Sequence, residues 1–175
     1  DFCHEMLSLD GQPQTQFPPQ GASQPEIVAR MQRLCDAVPP DVELGIHICY
    51  GDFGAKHIIE PKDASRMVDV VNDIVKAVKR RIDYIHFPIP VDRTDRGYVA
   101  PFKDLRLDPK TEIYLGLIHA RDGVDGVIRR IETAREFVPE FGIATECGIA
   151  RQRTPDLVHK ILDTYAGASR DPKST

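Results

Sequence analysis

Apolar positions along the chain follow two spacings, and each change from one to the other marks out an element. Ile27, Met31, Leu34 and Val38 recur at three and four residues, which predicts a helix with Ser23 as its cap and Pro25 in its first turn. Pro39 and Pro40 stop it. Residues 43–50 then form a short apolar run of strand length. A second helical stripe, Met67, Val70, Val71, Ile74, Val75 and Val78, follows Asp63 in the capping position. Residues 83–89 predict another strand, broken at Pro88 and Pro90, and residues 112–119 a third. The third is nearly all apolar, as a strand covered on both faces should be. Val124, Val127, Ile128, Ile131, Ala134 and Phe137 predict a helix that Pro139 ends, and residues 141–146 a fourth strand. The last helix starts at Thr154 and Pro155 and carries Leu157, Val158, Ile161, Leu162 and Tyr165.

The remaining stretches lack such a rhythm. The first ten residues read as the end of a strand that turns at Asp10 and Gly11, and residues 11–24 as a loop rich in Gln, Pro and Gly. Residues 91–110 form a long polar loop in which a connecting helix is short or missing, and residues 168–175 a polar tail. Because the chain opens on Asp1 inside an apparent strand end, it is expected to be the C-terminal part of a longer protein. Strands alternating with amphipathic helices predict an α/β fold, a parallel sheet under helical cover within a single domain.

Parallel strands present their chemistry at their C-terminal ends, and those ends carry the informative residues. His47 and Cys49 close the first strand, His86 lies in the second, His119 closes the third, and Glu146 and Cys147 close the fourth. Residues two apart on a strand point to one face, roughly 7 Å apart, so His47 and Cys49 project together as half of a soft-metal site. Imidazole and thiolate suit zinc, and Cys147, His86 and His119 are the candidates to complete the set. Each has a plainer reading: Cys147 as a turn residue, His86 as a backbone hydrogen-bonding partner. Cys35, His57 and His159 fall in or near helices and read as structural, while Cys3 stands where no strand is visible to give it a role. Lys79, Arg80 and Arg81 end a helix, where cations meet a favourable dipole and remain solvated. Asp92, Arg93, Asp95, Arg96, Arg151 and Arg153 either grip a carboxylate or phosphate or are surface loop charges.

Composition narrows the classes. With 175 residues, 41% of them hydrophobic, the chain suits one globular domain. Its 23 basic and 27 acidic residues give a net charge of -4 without long runs of either sign, which argues against nucleic acid as a partner. The longest apolar runs fall short of a membrane span, and no signal peptide opens the sequence, so a cytoplasmic protein without membrane association is expected. Four scattered cysteines favour free thiols or ligands over a disulfide framework.

The pair His47-x-Cys49 on one strand, with Thr145-Glu146-Cys147-Gly148 on the last, resembles the C-terminal catalytic barrel of cobalamin-independent methionine synthase. It also fits the wider group of barrels that includes uroporphyrinogen decarboxylase. The likeness runs from about residue 43 to residue 166. It implies the C-terminal half of a (β/α)8 TIM barrel, with the last four strands and the tip of the one before. It further implies a zinc held by His47, Cys49 and Cys147, with His86 where the family has a glutamate, and His119 (or, with a shifted gap, Arg121) as the catalytic position. Asp1 would match the acid that receives the substrate amino group, with Glu5 nearby. The expected activity is transfer of a methyl or other alkyl group from a donor to a small thiol. A decarboxylase-like lyase and a ligand- or partner-binding barrel without catalysis are the alternatives. Since a half-barrel exposes two sheet edges, the remaining half must come from the same chain or another.

Overall fold

The computed structural model describes residues 1–10, 23–52, 57–149 and 151–171. Helices α1 (Cys3–Asp10) and α2 (Gln24–Asp36) precede strand β1 (Gly45–His47). Helix α3 (Ser65–Ala77), strand β2 (Tyr84–Pro88), a short α4 (Arg96–Val99) and a 3-10 turn (Ala100–Asp104) follow. Strand β3 (Glu112–Ile118), helix α5 (Gly123–Arg135), strand β4 (Gly142–Thr145) and helix α6 (Pro155–Arg170) complete the order.

The four strands form one sheet in the order β1-β2-β3-β4, every neighbouring pair parallel. The α/β expectation holds. His47 lies opposite His86 in the register, and Gly116 opposite Pro88 on one side and Ala144 on the other. The C-terminal half of β3 is buried on both faces through Leu115, Leu117 and Ile118, which is why its sequence shows no alternation. Met67, Val70, Val71 and Ile74 of α3 and Val127 and Ile131 of α5 are buried, so the predicted stripes face the core. In α2 the stripe runs through Ile27, Val28, Met31 and Cys35, while Leu34 is 63% exposed. Its N-terminus is closed by Glu26, whose carboxylate accepts from both the amide and the hydroxyl of Ser23.

Two stretches depart from the sequence expectations, residues 3–10 and the tail, and the long polar loop holds the short connecting helix that its sequence left open. Residues 3–10 are a helix rather than a strand end, because Phe2, Met6 and Leu7 repeat at helical spacing and all three are buried. A trace of strand pairing remains just before it, where the Phe2 amide donates to the His47 carbonyl at 3.0 Å. The long polar loop contains α4, capped by the Asp95 carboxylate on the Tyr98 amide, with Tyr98, Val99 and Phe102 packed into the core. The polar tail begins later than expected: α6 continues to Arg170 and buries Ala168 completely. The 11–24 loop falls outside the described residues up to residue 22, and its last residue, Gln24, opens α2.

Arg80 is tied to the protein and is not a solvated helix-end charge. Its guanidinium donates to the carbonyls of Val38, Pro39 and Val42, clamping the α2–β1 turn. No helix among the described residues is long and apolar enough to cross a membrane.

Candidate metal centre

The site grows from the C-terminal ends of β1, β2 and β4. His47 is the last residue of β1, and the parallel register sets the His86 ring of β2 against it, stacked at 4.7 Å between centroids. Their Nδ1 atoms meet at 2.8 Å, so one ring donates and the other accepts. Both Nε2 atoms are buried and have no hydrogen-bond partner among the described residues. A buried, unsatisfied ring nitrogen costs free energy unless something binds it. Burial, and then the neighbouring His47, pull the His86 pKa down to about 4, so it stays neutral at pH 7.

Cys49 lies two residues beyond β1 on a segment that leaves the ladder, since Ile48 makes the last amide bond to β2, at 3.1 Å to the His86 carbonyl. Its sulfur accepts from the Gly51 amide at 3.2 Å, in a turn where Gly51 has φ +82°. From the other side Cys147, just past β4, brings its sulfur to 3.4 Å. The ligand atoms of His47, Cys49 and Cys147 all lie within 4.8 Å of one another, a group that could hold a metal ion. The hydrogen bond donated by the Cys49 thiol, and then the His47 imidazole beside it, lower the Cys147 thiol to about 5. Cys49 is pushed up in turn, because it is the thiol that donates to Cys147 and to Cys3, and because it is buried.

Behind Cys147 runs a charged network. His119, 5% exposed, directs Nδ1 to Glu146 Oε2 at 3.0 Å and Nε2 to the Ile89 carbonyl at 2.8 Å. Both facing atoms are hydrogen-bond acceptors, which fixes the plane of the ring at the end of β3. Burial pushes the Glu146 carboxyl up, but His119 and then Arg153 outweigh it and hold the group below the usual carboxylate range. Arg153, whose side chain is wholly buried, reaches Glu146 Oε1 at 3.0 Å and Asp52 Oδ2 at 2.6 Å and donates to the Gly148 carbonyl. It therefore holds the residues on both sides of Cys147. Gly148 has φ +65°, and a Cβ there would meet the Asp52 side chain at 3.3 Å.

The predicted rim is thus assembled, with its members in distinct places. His47, Cys49 and Cys147 form the metal-type group; His86 stands outside it, hydrogen-bonded to His47. His119 lines a cleft of about 780 Å³ together with Cys147, Glu146, Asp52, Arg121 and Lys160. Asp1 is exposed and caps the Cys3 amide at 3.1 Å, and Glu5 lies half-buried on α1. Arg153 is consumed by internal ion pairs and has no free face for a substrate anion, whereas Arg121 pairs with Asp92 at the mouth of the cleft. Sequence reasoning gave Cys3 no role, yet its thiol bonds to Cys49. The helical recurrence of Phe2, Met6 and Leu7 was the signal that could have set it on the buried side of a helix against β1. Comparisons with protein-family models, with curated proteins and with solved structures gave no match, so the reading of this centre rests on its own geometry.

Proposed function

We propose that this protein transfers a methyl or other alkyl group to a small thiol at a zinc held by His47, Cys49 and Cys147. One observation carries the reading: a nitrogen and a sulfur from the end of β1 and a sulfur from just past β4 converge within 4.8 Å at the edge of a cleft large enough for a small molecule. The donor set fits zinc, which favours imidazole and thiolate, and the orphaned His47 Nε2 is the kind of atom a metal satisfies. Bound there, zinc would supply a thiolate at neutral pH from a thiol that ordinarily titrates near 8.5.

The chain's own residues do the rest. His86 fixes the His47 ring through the Nδ1 contact, as partners of metal-bound imidazoles do. The cleft beside Cys147 and His119 is where the alkyl donor would lie. In the transfer a sulfur–carbon bond forms, the bond from that carbon to its donor breaks, and a proton is needed by the departing group. His119 is placed to give it by exchanging its contact to the Ile89 carbonyl for one to that group, while the ionised Glu146 holds the ring in position.

The same reading takes the sheet as half of a (β/α)8 barrel. Its support is the strictly sequential parallel order, without the strand-order reversal of a doubly wound sheet, and the Phe2–His47 bond. The Ile48 amide faces β2, so the His47 carbonyl faces the opposite side, where a preceding barrel strand would run. A second half, from the same chain or another, would cover the outer edges of β1 and β4. Free cysteines fit a reducing, cytoplasmic setting.

The test is zinc content of the whole protein, with Cys49→Ser and Cys147→Ser beside it, followed by alkylation of a panel of small thiols. About one zinc per wild-type chain, lost in both variants, is expected. A wild type that binds no zinc sinks the transferase reading and leaves the α/β fold standing.

A further inference from the structure

We propose that His57, oriented by Glu60, is a second proton-handling residue of the cleft and takes the proton of the thiol as that substrate enters. The proposal rests on the reading of His47, Cys49 and Cys147 as the metal centre and goes beyond it in naming the residue that prepares the nucleophile.

From its place in the sequence His57 reads as structural. In the fold it lies between β1 and α3, outside any helix, and lines the same cleft of about 780 Å³ as Cys147 and His119. Its position is fixed from both sides. The Ile58 amide donates to the Tyr50 carbonyl at 2.9 Å, and Tyr50 directly follows Cys49, so His57 is fastened to the segment that carries that sulfur. The Tyr50 ring stands behind the imidazole at 6.5 Å between centroids, its own hydroxyl committed to Asp10. On the other side, His57 Nδ1 meets Glu60 Oε2 at 3.2 Å, and the histidine side chain is left only 13% exposed.

A carboxylate only accepts, so the contact to Glu60 sets the proton of the neutral ring on Nδ1 and the lone pair on Nε2. That Nε2 has no hydrogen-bond partner among the described residues, and unlike the Nε2 atoms of His47 and His86 it is open to solvent. The other groups lining the cleft are committed: Asp52 and Glu146 to Arg153, Asp92 to Arg121, Arg93 to Asp95, and His119 to Glu146 and the Ile89 carbonyl. Lys160 offers only donors. The cleft thus carries two histidines, each held through Nδ1 by a glutamate; His119 spends its Nε2 on a carbonyl, and His57 keeps its own free. As the thiol arrives its S–H bond breaks, the electron pair stays on sulfur, and the proton passes to His57 Nε2 and from there to solvent.

The experiment times thiol entry. The full-length protein is loaded with cobalt(II) alone, mixed rapidly with 2-mercaptoethanol, and followed by the growth of its sulfur-to-cobalt charge-transfer band, as wild type, His57→Gln and Glu60→Gln. His57→Gln should slow entry about 100-fold, the lower end of what a positioned base contributes, and still reach the wild-type final band. Added 2-methylimidazole, hindered as a metal ligand, should restore much of the rate in His57→Gln and leave the wild type unchanged. Glu60→Gln, which loosens the ring without removing it, should slow entry by less. An unchanged rate in His57→Gln, or a slowing that 2-methylimidazole does not relieve, overturns the role of His57 and leaves the metal centre intact. A wild type that holds no cobalt, or holds it and takes up no thiol, overturns both. Should His57→Gln fail to fold, the wild type decides: entry indifferent to 2-methylimidazole supports an internal base, and entry that it accelerates overturns one.

Discussion

Arg153 is the residue whose loss should be felt most widely. Replacing it with Met keeps much of its volume but leaves Asp52 and Glu146, side chains 5% and 17% exposed, without the cation between them. The substitution removes ion pairs at 2.6 and 3.0 Å and a hydrogen bond to the Gly148 carbonyl. Breaking a buried pair by removing one partner costs about 3–5 kcal/mol, against a total of about 5–15 kcal/mol for a typical domain. For a chain of this size that lowers the unfolding midpoint by about 6–20 °C. Glu146 keeps His119, which sets the loss toward the lower end of that range.

Urea unfolding of the full-length protein measures the cost, and a cycle with Asp52→Asn shows where it comes from. If an uncompensated carboxylate is the cause, the double variant should lose about 1–2 kcal/mol less than the two single losses added. Arg153 also braces the residues flanking Cys147, so zinc affinity should fall about 10- to 100-fold in Arg153→Met, as it does when outer partners of a metal site are removed. A loss under about 1 kcal/mol, with the cycle additive, would mean that these charges behave as a surface bridge, and the argument for a clamp would be refuted.

Gly116→Ala should weaken zinc binding, because its Cβ would meet His86 Nε2 at 3.1 Å, pushing a ring stacked on His47, and the Thr145 carbonyl at 3.3 Å, two residues before Cys147; unchanged zinc affinity refutes the coupling. Asp122 sits against the wholly buried Arg130 at 2.7 Å. Burial raises its carboxyl, and Arg130 more than offsets this, leaving it lowered. Its stabilising effect is therefore complete above its unfolded value near about 3.9 and is lost as pH falls through the lower folded value. Asp122→Asn should be less stable than wild type by about 3 kcal/mol at pH 7, and urea titrations at pH 7, 5 and 3 should show the gap narrowing only at the last; a gap constant to pH 3 refutes it.

What could be read beforehand and what could not follow from where each signal resides. Long stripes such as Met67 to Ile74 are local, so the helix they form was legible, as was β3 from its unbroken apolar run. The first ten residues misled because eight helical residues offer barely two turns of period, and the polar His4 and Glu5 before Met6 and Ser8 after Leu7 obscure it. His47 and Cys49 were legible as a pair through their spacing, although the reason they converge is less regular than a strand face. Cys49 sits where the chain has already left the ladder, held by the Gly51 turn. Metal ligands announce themselves by residue type, since few side chains can offer nitrogen or sulfur to a soft ion. Their supports do not. Arg153 and Asp52 are 101 residues apart, and an arginine in a loop after a strand looks the same whether it faces solvent or a buried carboxylate. Only the meeting of the β1 and β4 ends turns it from a surface charge into the brace on Cys147. Cys3, unreadable as a lone cysteine near the start of the chain, is set near the end of β1 by the bond from the Phe2 amide to the His47 carbonyl. A sequence of this kind therefore reveals the chemistry of a site before its architecture, and the variants with most to tell are those at Arg153 and Gly116, where tertiary placement alone supplies the role.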